Sequence, residues 1–194
     1  TPSTGWTISD ESRAILHPSG DYIYVADNGV SPSDVEKLDI RNGVANRLYD
    51  SPYHGTYSFG GKLWLSGDGS RIFTRGKTVL NTSTVQNLDM IYNGSITLNI
   101  PQSIRGNRNL NEFIVEYLDY SSGTQKMAIV AKDSYNSFND KEVDQIYIHN
   151  GSNLQYEKEI QLERFLLFNS STNTGVFYAA VPYFNFFNSS GNEL

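Results

Sequence analysis

The chain has 194 residues, of which 38% are apolar and 19% charged, with 13 Tyr, 10 Phe, 16 Gly and no Cys. A net charge of -6, with the basic residues scattered, offers a phosphate backbone little to bind, so nucleic acid is not an expected partner. The lack of Cys excludes disulfides, thiolate metal sites and a Cys nucleophile, and no apolar stretch is long enough for a membrane-spanning helix.

Tyr, Phe, Asn, Ser and Gly are plentiful and the strong helix formers are scarce, which predicts an all-β fold. The chain opens without Met or an apolar leader, so a mature or excised piece is expected; the lack of Cys fits bacterial export. An extracellular, periplasmic or cell-surface location is the corresponding expectation.

In chain order, the dominant signal is a repeated hairpin. Residues 13–27 read RAILHPSGDYIYVAD, residues 62–76 KLWLSGDGSRIFTRG, residues 116–132 EYLDYSSGTQKMAIVAK and residues 165–181 FLLFNSSTNTGVFYAAV. Each is an alternating apolar run, a turn rich in Ser, Gly, Asp or Asn, and a second run. The second runs begin at Ile23, Ile72, Ala128 and Val176, at intervals of 49, 56 and 48 residues. A period near this length is that of a four-stranded propeller blade.

A further strand pair is expected after each hairpin. The first pair is residues 35–40 and 44–49 around the Asn42-Gly43 turn, the second residues 77–80 and 85–91, and the third residues 144–149 and 154–160. In the fourth repeat residues 183–187 (YFNFF) are expected as the third strand. The expected architecture is a β-propeller, about four blades of four antiparallel strands, forming part of a larger propeller. As a single domain or fragment over 1–194, its blades fall near 13–56, 57–107, 108–160 and 161–194, with residues 5–9 (GWTIS) as a closing strand. An unfinished outer blade exposes unpaired backbone groups, so self-association or pairing with the remainder of a propeller is expected.

The string HPSGDYIYVAD at residues 17–27 resembles the blade hairpin of bacterial and archaeal propellers of the Tyr-Val-Thr-Asn repeat type, which include cell-surface and lactonase-like members. LSGDGSRIFTRG at residues 65–76 keeps the turn without the Pro, and the later repeats match by spacing alone. The resemblance implies fold more than activity. His17 is read as a structural residue that bonds across blades.

No catalytic residues are assigned. The three His (His17, His54 and His149) lie in different repeats without metal-ligand spacing, and no nucleophile elbow occurs. No metal ligands are assigned either, and residues 67–70 (GDGS) read as a hairpin turn. No cofactor is expected: residues 27–34 and 133–140 read as solvated loops, with Ca2+ as the alternative because they carry Asp and Asn oxygens. Candidate ligand-binding residues lie on two long connections: Tyr53, His54 and Tyr57 within DSPYHGTY, and Arg105 and Arg108 within PQSIRGNRNLN. Aromatic rings and planar Arg forks recognise a protein or carbohydrate at small entropic cost. The sequence thus points to a non-catalytic propeller module of an exported bacterial protein, binding a protein or glycan through one face. The alternative is a lactonase-like hydrolase whose catalytic residues lie partly outside this chain.

Overall fold

The computed structural model describes residues 12–27, 31, 33–134 and 143–194. The expected closing strand at residues 5–9 and most of the acidic segment 133–140 lie outside them. The chain divides into two compact units, Thr1–Ile96 and Thr97–Leu194.

The first unit holds two four-stranded antiparallel sheets, each in simple sequence order. Strands β1 (Arg13–Leu16), β2 (Tyr22–Ala26), β3 (Val35–Asp39) and β4 (Asn46–Asp50) form one. Strands β5 (Leu63–Leu65), β6 (Arg71–Thr74), β7 (Thr78–Asn81) and β8 (Tyr92–Ser95) form the other. Central strands β2, β3, β6 and β7 carry the buried residues, while β1 and β4 are largely exposed. Tyr24, Ala26 and Val35 of the first sheet pack with Leu63, Ile72 and Leu80 of the second and with Phe59 and Met90. Burying the seven of these side chains larger than alanine contributes on the order of 1.5–3 kcal/mol each.

The equivalent hairpin turns of the two sheets also touch. His17 Nδ1 accepts from the Ser19 amide at 3.2 Å, which fixes the tautomer, so Nε2–H donates to the Gly69 carbonyl at 3.2 Å. Gly69 has φ +73°, and a Cβ there would stand 2.6 Å from His17 Nε2, so the turn requires glycine for both backbone and contact. Residues 67–70 form the expected hairpin turn, closed by the Gly69 amide on Ser66 O and braced by Asp68.

The second unit opens with a short helix, α1 (Gln102–Arg105), and a third four-stranded sheet. Its strands are β9 (Phe113–Ser121), β10 (Lys126–Asp133), β11 (Gln145–Asn150) and β12 (Tyr156–Gln161). Consecutive residues of β10 from Met127 to Ala131 are all buried, which marks a central strand covered on both faces. The hairpin of β13 (Arg164–Asn169) and β14 (Thr174–Ala179) completes the inventory. The chain is therefore all-β, with sheets of two to four strands and almost no helix among the described residues. All four sheets are open, with none closed on itself.

Two local expectations are corrected. Residues 85–91 do not form a strand: Gln86–Leu88 is a 3-10 turn, Met90 and Ile91 bond to Asn81 at the end of β7, and β8 begins at Tyr92. Short polar side chains compete for the backbone here, since Asp89 Oδ1 accepts from the Ser83 amide and Ser83 Oγ from the Val85 amide. The fourth repeat is a two-stranded sheet rather than the expected three strands, since residues 183–187 form no strand. Pro182 cannot donate to a ladder, and Phe187 finds a better site against Ala128, Ile146 and Ile148 of the third sheet. The Phe187 amide donates to Asp119 Oδ2 at 2.7 Å, while Ser121 and Thr124 hydroxyls donate to the Gly191 carbonyl.

Candidate functional site

The loop leaving β4 carries three of the residues singled out from the sequence. Tyr53 and Tyr57 meet edge to face at 4.8 Å between centroids, and Tyr57 stacks on Tyr92 at 4.6 Å with planes 5° apart. The Tyr92 amide donates to the Tyr53 hydroxyl at 3.0 Å, tying the loop to the start of β8. Tyr92 remains exposed, so one end of the stack faces solvent. Such ring arrangements gain attraction beyond the area they bury and hold a flat apolar surface in place.

His54 lies beside this stack in sequence and is fixed separately. Its Nδ1 stands 2.8 Å from Asp34 Oδ2. Asp34 is buried at the entry to β3, where its Oδ1 accepts from the Val35 amide at 2.7 Å and from the Ser51 hydroxyl. In the neutral ring, Nδ1–H donates to Asp34 and the lone pair sits on Nε2. His54 and Asp50 border an open cleft of about 670 Å³, with Gln86, Asn87 and Asp89 among the other lining residues. Single ligand atoms of Asp34, Asp50 and His54 fall within 4.8 Å of one another, so the three could hold a divalent cation. A set that includes imidazole suits zinc or manganese as well as the hard oxygen-preferring ions. Asp50 is also engaged by Arg47, whose Nη2 donates to Asp50 Oδ2 at 2.9 Å.

Beneath the cleft lies a buried polar network. Asp89 accepts from Lys37 Nζ at 2.7 Å, from the Tyr24 and Tyr49 hydroxyls at 3.0 Å each, and from the Ser83 amide at 2.7 Å. Lys37 Nζ also donates to the Ser83 carbonyl at 2.6 Å and lies 4.3 Å from the Tyr22 ring centroid. Strand register makes this row: Tyr24 faces Lys37, and Lys37 faces Tyr49. Burial, and then the Asp89 charge, drive both phenols well above their ordinary pKa of 10.0. Tyr22, Tyr24 and Lys37 help line a smaller cavity of about 260 Å³ that also includes His17, Asp68 and Thr82.

The other two singled-out residues belong to the second unit. Arg105 Nη1 donates to the Arg108 carbonyl at 2.7 Å, and Arg108 pairs with Asp133. Both guanidinium groups are thus engaged within their own unit. The sequence does not single out Asp34 or Tyr92, whose partners His54 and Tyr57 lie far along the chain, or Asp50, which opens the segment DSPYHGTY but shows its place beside Asp34 only in the fold.

No family model matches this chain, and no curated protein does. Among solved structures, the crystal structure of Saccharomyces cerevisiae Sqt1 is similar over 87% of this chain and 69% of that chain, at 13% identity and a TM-score of 0.31. At that distance nothing of the yeast protein's role transfers to this chain.

Proposed function

We propose that this chain is part of a larger β-propeller and acts as a non-catalytic binding module of an exported bacterial protein, recognising a protein or glycan. The recognition surface is formed by Tyr53, His54 and Tyr57 together with Tyr92. The observation that carries the reading is the preorganised stack of Tyr57 on Tyr92, at 4.6 Å and 5°, on a loop pinned by a backbone hydrogen bond. Rings already held in place lose little freedom on binding, and they offer flat faces to sugar rings or to apolar side chains. The propeller assignment draws support from consecutive four-stranded meanders in sequence order and from the like-for-like contact of His17 and Gly69. The family resemblance of residues 17–27 and the near-fifty-residue recurrence support the same assignment.

A glycan array and an extracellular-protein library screened in parallel with the parent and a His54→Ala/Tyr57→Ala variant test the placement. Ligands retained by the parent and lost by the variant are expected; ligands bound equally by both reject it. The convergence of Asp34, Asp50 and His54 favours one second reading, a lactonase-like hydrolase with a metal there. Metal analysis and lactone or ester hydrolysis by the parent decide it, and metal-free, inactive material ends it.

A further inference from the structure

The cleft at the end of β4 is lined by polar groups whose positions are set by contacts behind them. Gln86 and Asn87 sit on the 3-10 turn, which is tied down where the Val85 amide donates to Ser83 Oγ and the Ser83 amide to Asp89 Oδ1. His54 is aimed by buried Asp34, 2.8 Å from its Nδ1. Asp50 is held by Arg47, whose Nη2 donates to it at 2.9 Å and whose Nε donates to Glu36 at 3.1 Å. Groups fixed in this way lose little freedom when a ligand arrives.

What these groups leave unused defines the ligand. Among the described residues, the side-chain amides of Gln86 and Asn87, Asp50 Oδ1 and His54 Nε2 have no hydrogen-bond partner within the chain. With Nδ1–H directed at Asp34, His54 Nε2 is an acceptor, as are Asp50 Oδ1 and both amide oxygens, while only the two amide NH2 groups donate. An acceptor-rich site calls for a ligand bearing several O–H donors. Val85 and Ile91 add an apolar wall on which the C–H face of a ring packs.

Charge narrows the ligand further. No Lys or Arg is among the described residues lining the cleft, and Arg47 beside it is committed to Glu36 and Asp50. A carboxylated or phosphorylated ligand therefore meets the Asp50 charge with nothing to offset it. A divalent cation has to draw Asp50 from Arg47 and break the hydrogen bond between Asp34 and His54. The volume, about 670 Å³, lies inside the range of small-ligand sites, ~300–1,000 Å³.

We infer that this cleft takes a neutral sugar. Its hydroxyls donate to Asp50, His54 and the amide oxygens, Gln86 and Asn87 donate in return, and Val85 and Ile91 pack on a ring face. The inference rests on the binding-module reading, shares His54 with it, and narrows its protein or glycan to a neutral glycan.

The test is an array of neutral glycans and their uronate- and sialate-bearing counterparts, with and without EDTA. It is run on the full chain, on Gln86→Ala/Asn87→Ala, whose replaced side chains are exposed, and on Tyr57→Ala. Neutral glycans are expected to bind ahead of acidic ones and to ignore EDTA. The double variant is expected to weaken them about ten-fold, as the loss of two hydrogen bonds implies. A preference for acidic glycans, binding abolished by EDTA, a double variant equal to the parent, or no glycan bound at all overturns the inference. Protein ligands lost by His54→Ala/Tyr57→Ala, with no glycan bound, overturn the neutral-sugar assignment and leave the binding-module reading standing. A neutral glycan that needs Gln86 and Asn87 but not Tyr57 upholds the assignment and removes the tyrosine stack from the recognition surface.

Discussion

Lys37 Nζ lies 2.7 Å from Asp89 Oδ2 with both side chains almost fully buried, joining the middle of the first sheet to the segment that feeds the last strand of the second. The carboxylate is further satisfied by two phenols and an amide, so the pair meets the condition under which a buried charge is tolerated. Removing one partner strands the other charge. Asp89→Ala is expected to cost about 3–5 kcal/mol. Lys37→Met/Asp89→Leu, which removes both charges, is expected to regain much of that loss. Urea unfolding of the three proteins checks the ordering; a double variant no better than Asp89→Ala shows that the contacts rather than the charges matter.

The same network sets an alkaline limit. Tyr24 and Tyr49 have folded pKa values raised above 10.0, so their contribution is whole below that value and is lost as pH rises beyond it. Absorbance titration should show these two phenols silent while exposed tyrosines ionise, and released only on unfolding. Tyr24→Phe is expected to reduce the steepness of alkaline unfolding.

His149 sets an acid limit in the second unit. It is buried, its Nε2–H donates to the Thr97 carbonyl at 3.0 Å, and burial lowers its pKa from 6.5. The unfolded chain therefore takes up the proton first, so stability is full above 6.5 and falls as pH drops from there through the folded value. His149→Gln is expected to flatten that part of the stability curve between pH 7 and 5, measured by thermal unfolding; an unchanged slope rejects the assignment.

Gly69→Ala meets two obstacles, a φ of +73° and a Cβ 2.6 Å from His17 Nε2. A loss of about 1–3 kcal/mol is expected. His17→Ala should cost less, since it removes the bonds to the Ser19 amide and the Gly69 carbonyl without imposing a strained φ on the turn. Adding His17→Ala to Gly69→Ala should recover the steric part and leave the backbone part.

The hairpins were readable because alternation and turn chemistry are local. RAILHPSGDYIYVAD became β1, its turn and β2, and KLWLSGDGSRIFTRG became β5 and β6, with boundaries within a few residues. Reading residues 85–91 as a strand failed because Val85, Leu88 and Ile91 satisfy an apolar pattern while Ser83 and Asp89 capture the backbone amides. Reading residues 183–187 as a strand failed because aromatic content records the wish to be buried and not the place. For the site, Tyr53, His54 and Tyr57 were visible as a cluster on one loop. Tyr92, 39 positions from Tyr53, was not.

By itself the sequence determined an all-β chain, its turns and its recurrence, because each depends on side chains a few positions apart. Tertiary structure alone decided that Asp89 would neutralise Lys37 and that Asp34 would hold His54. Those outcomes depend on which strands become neighbours, a matter of register and burial summed over the fold, to which no short stretch of residues has access.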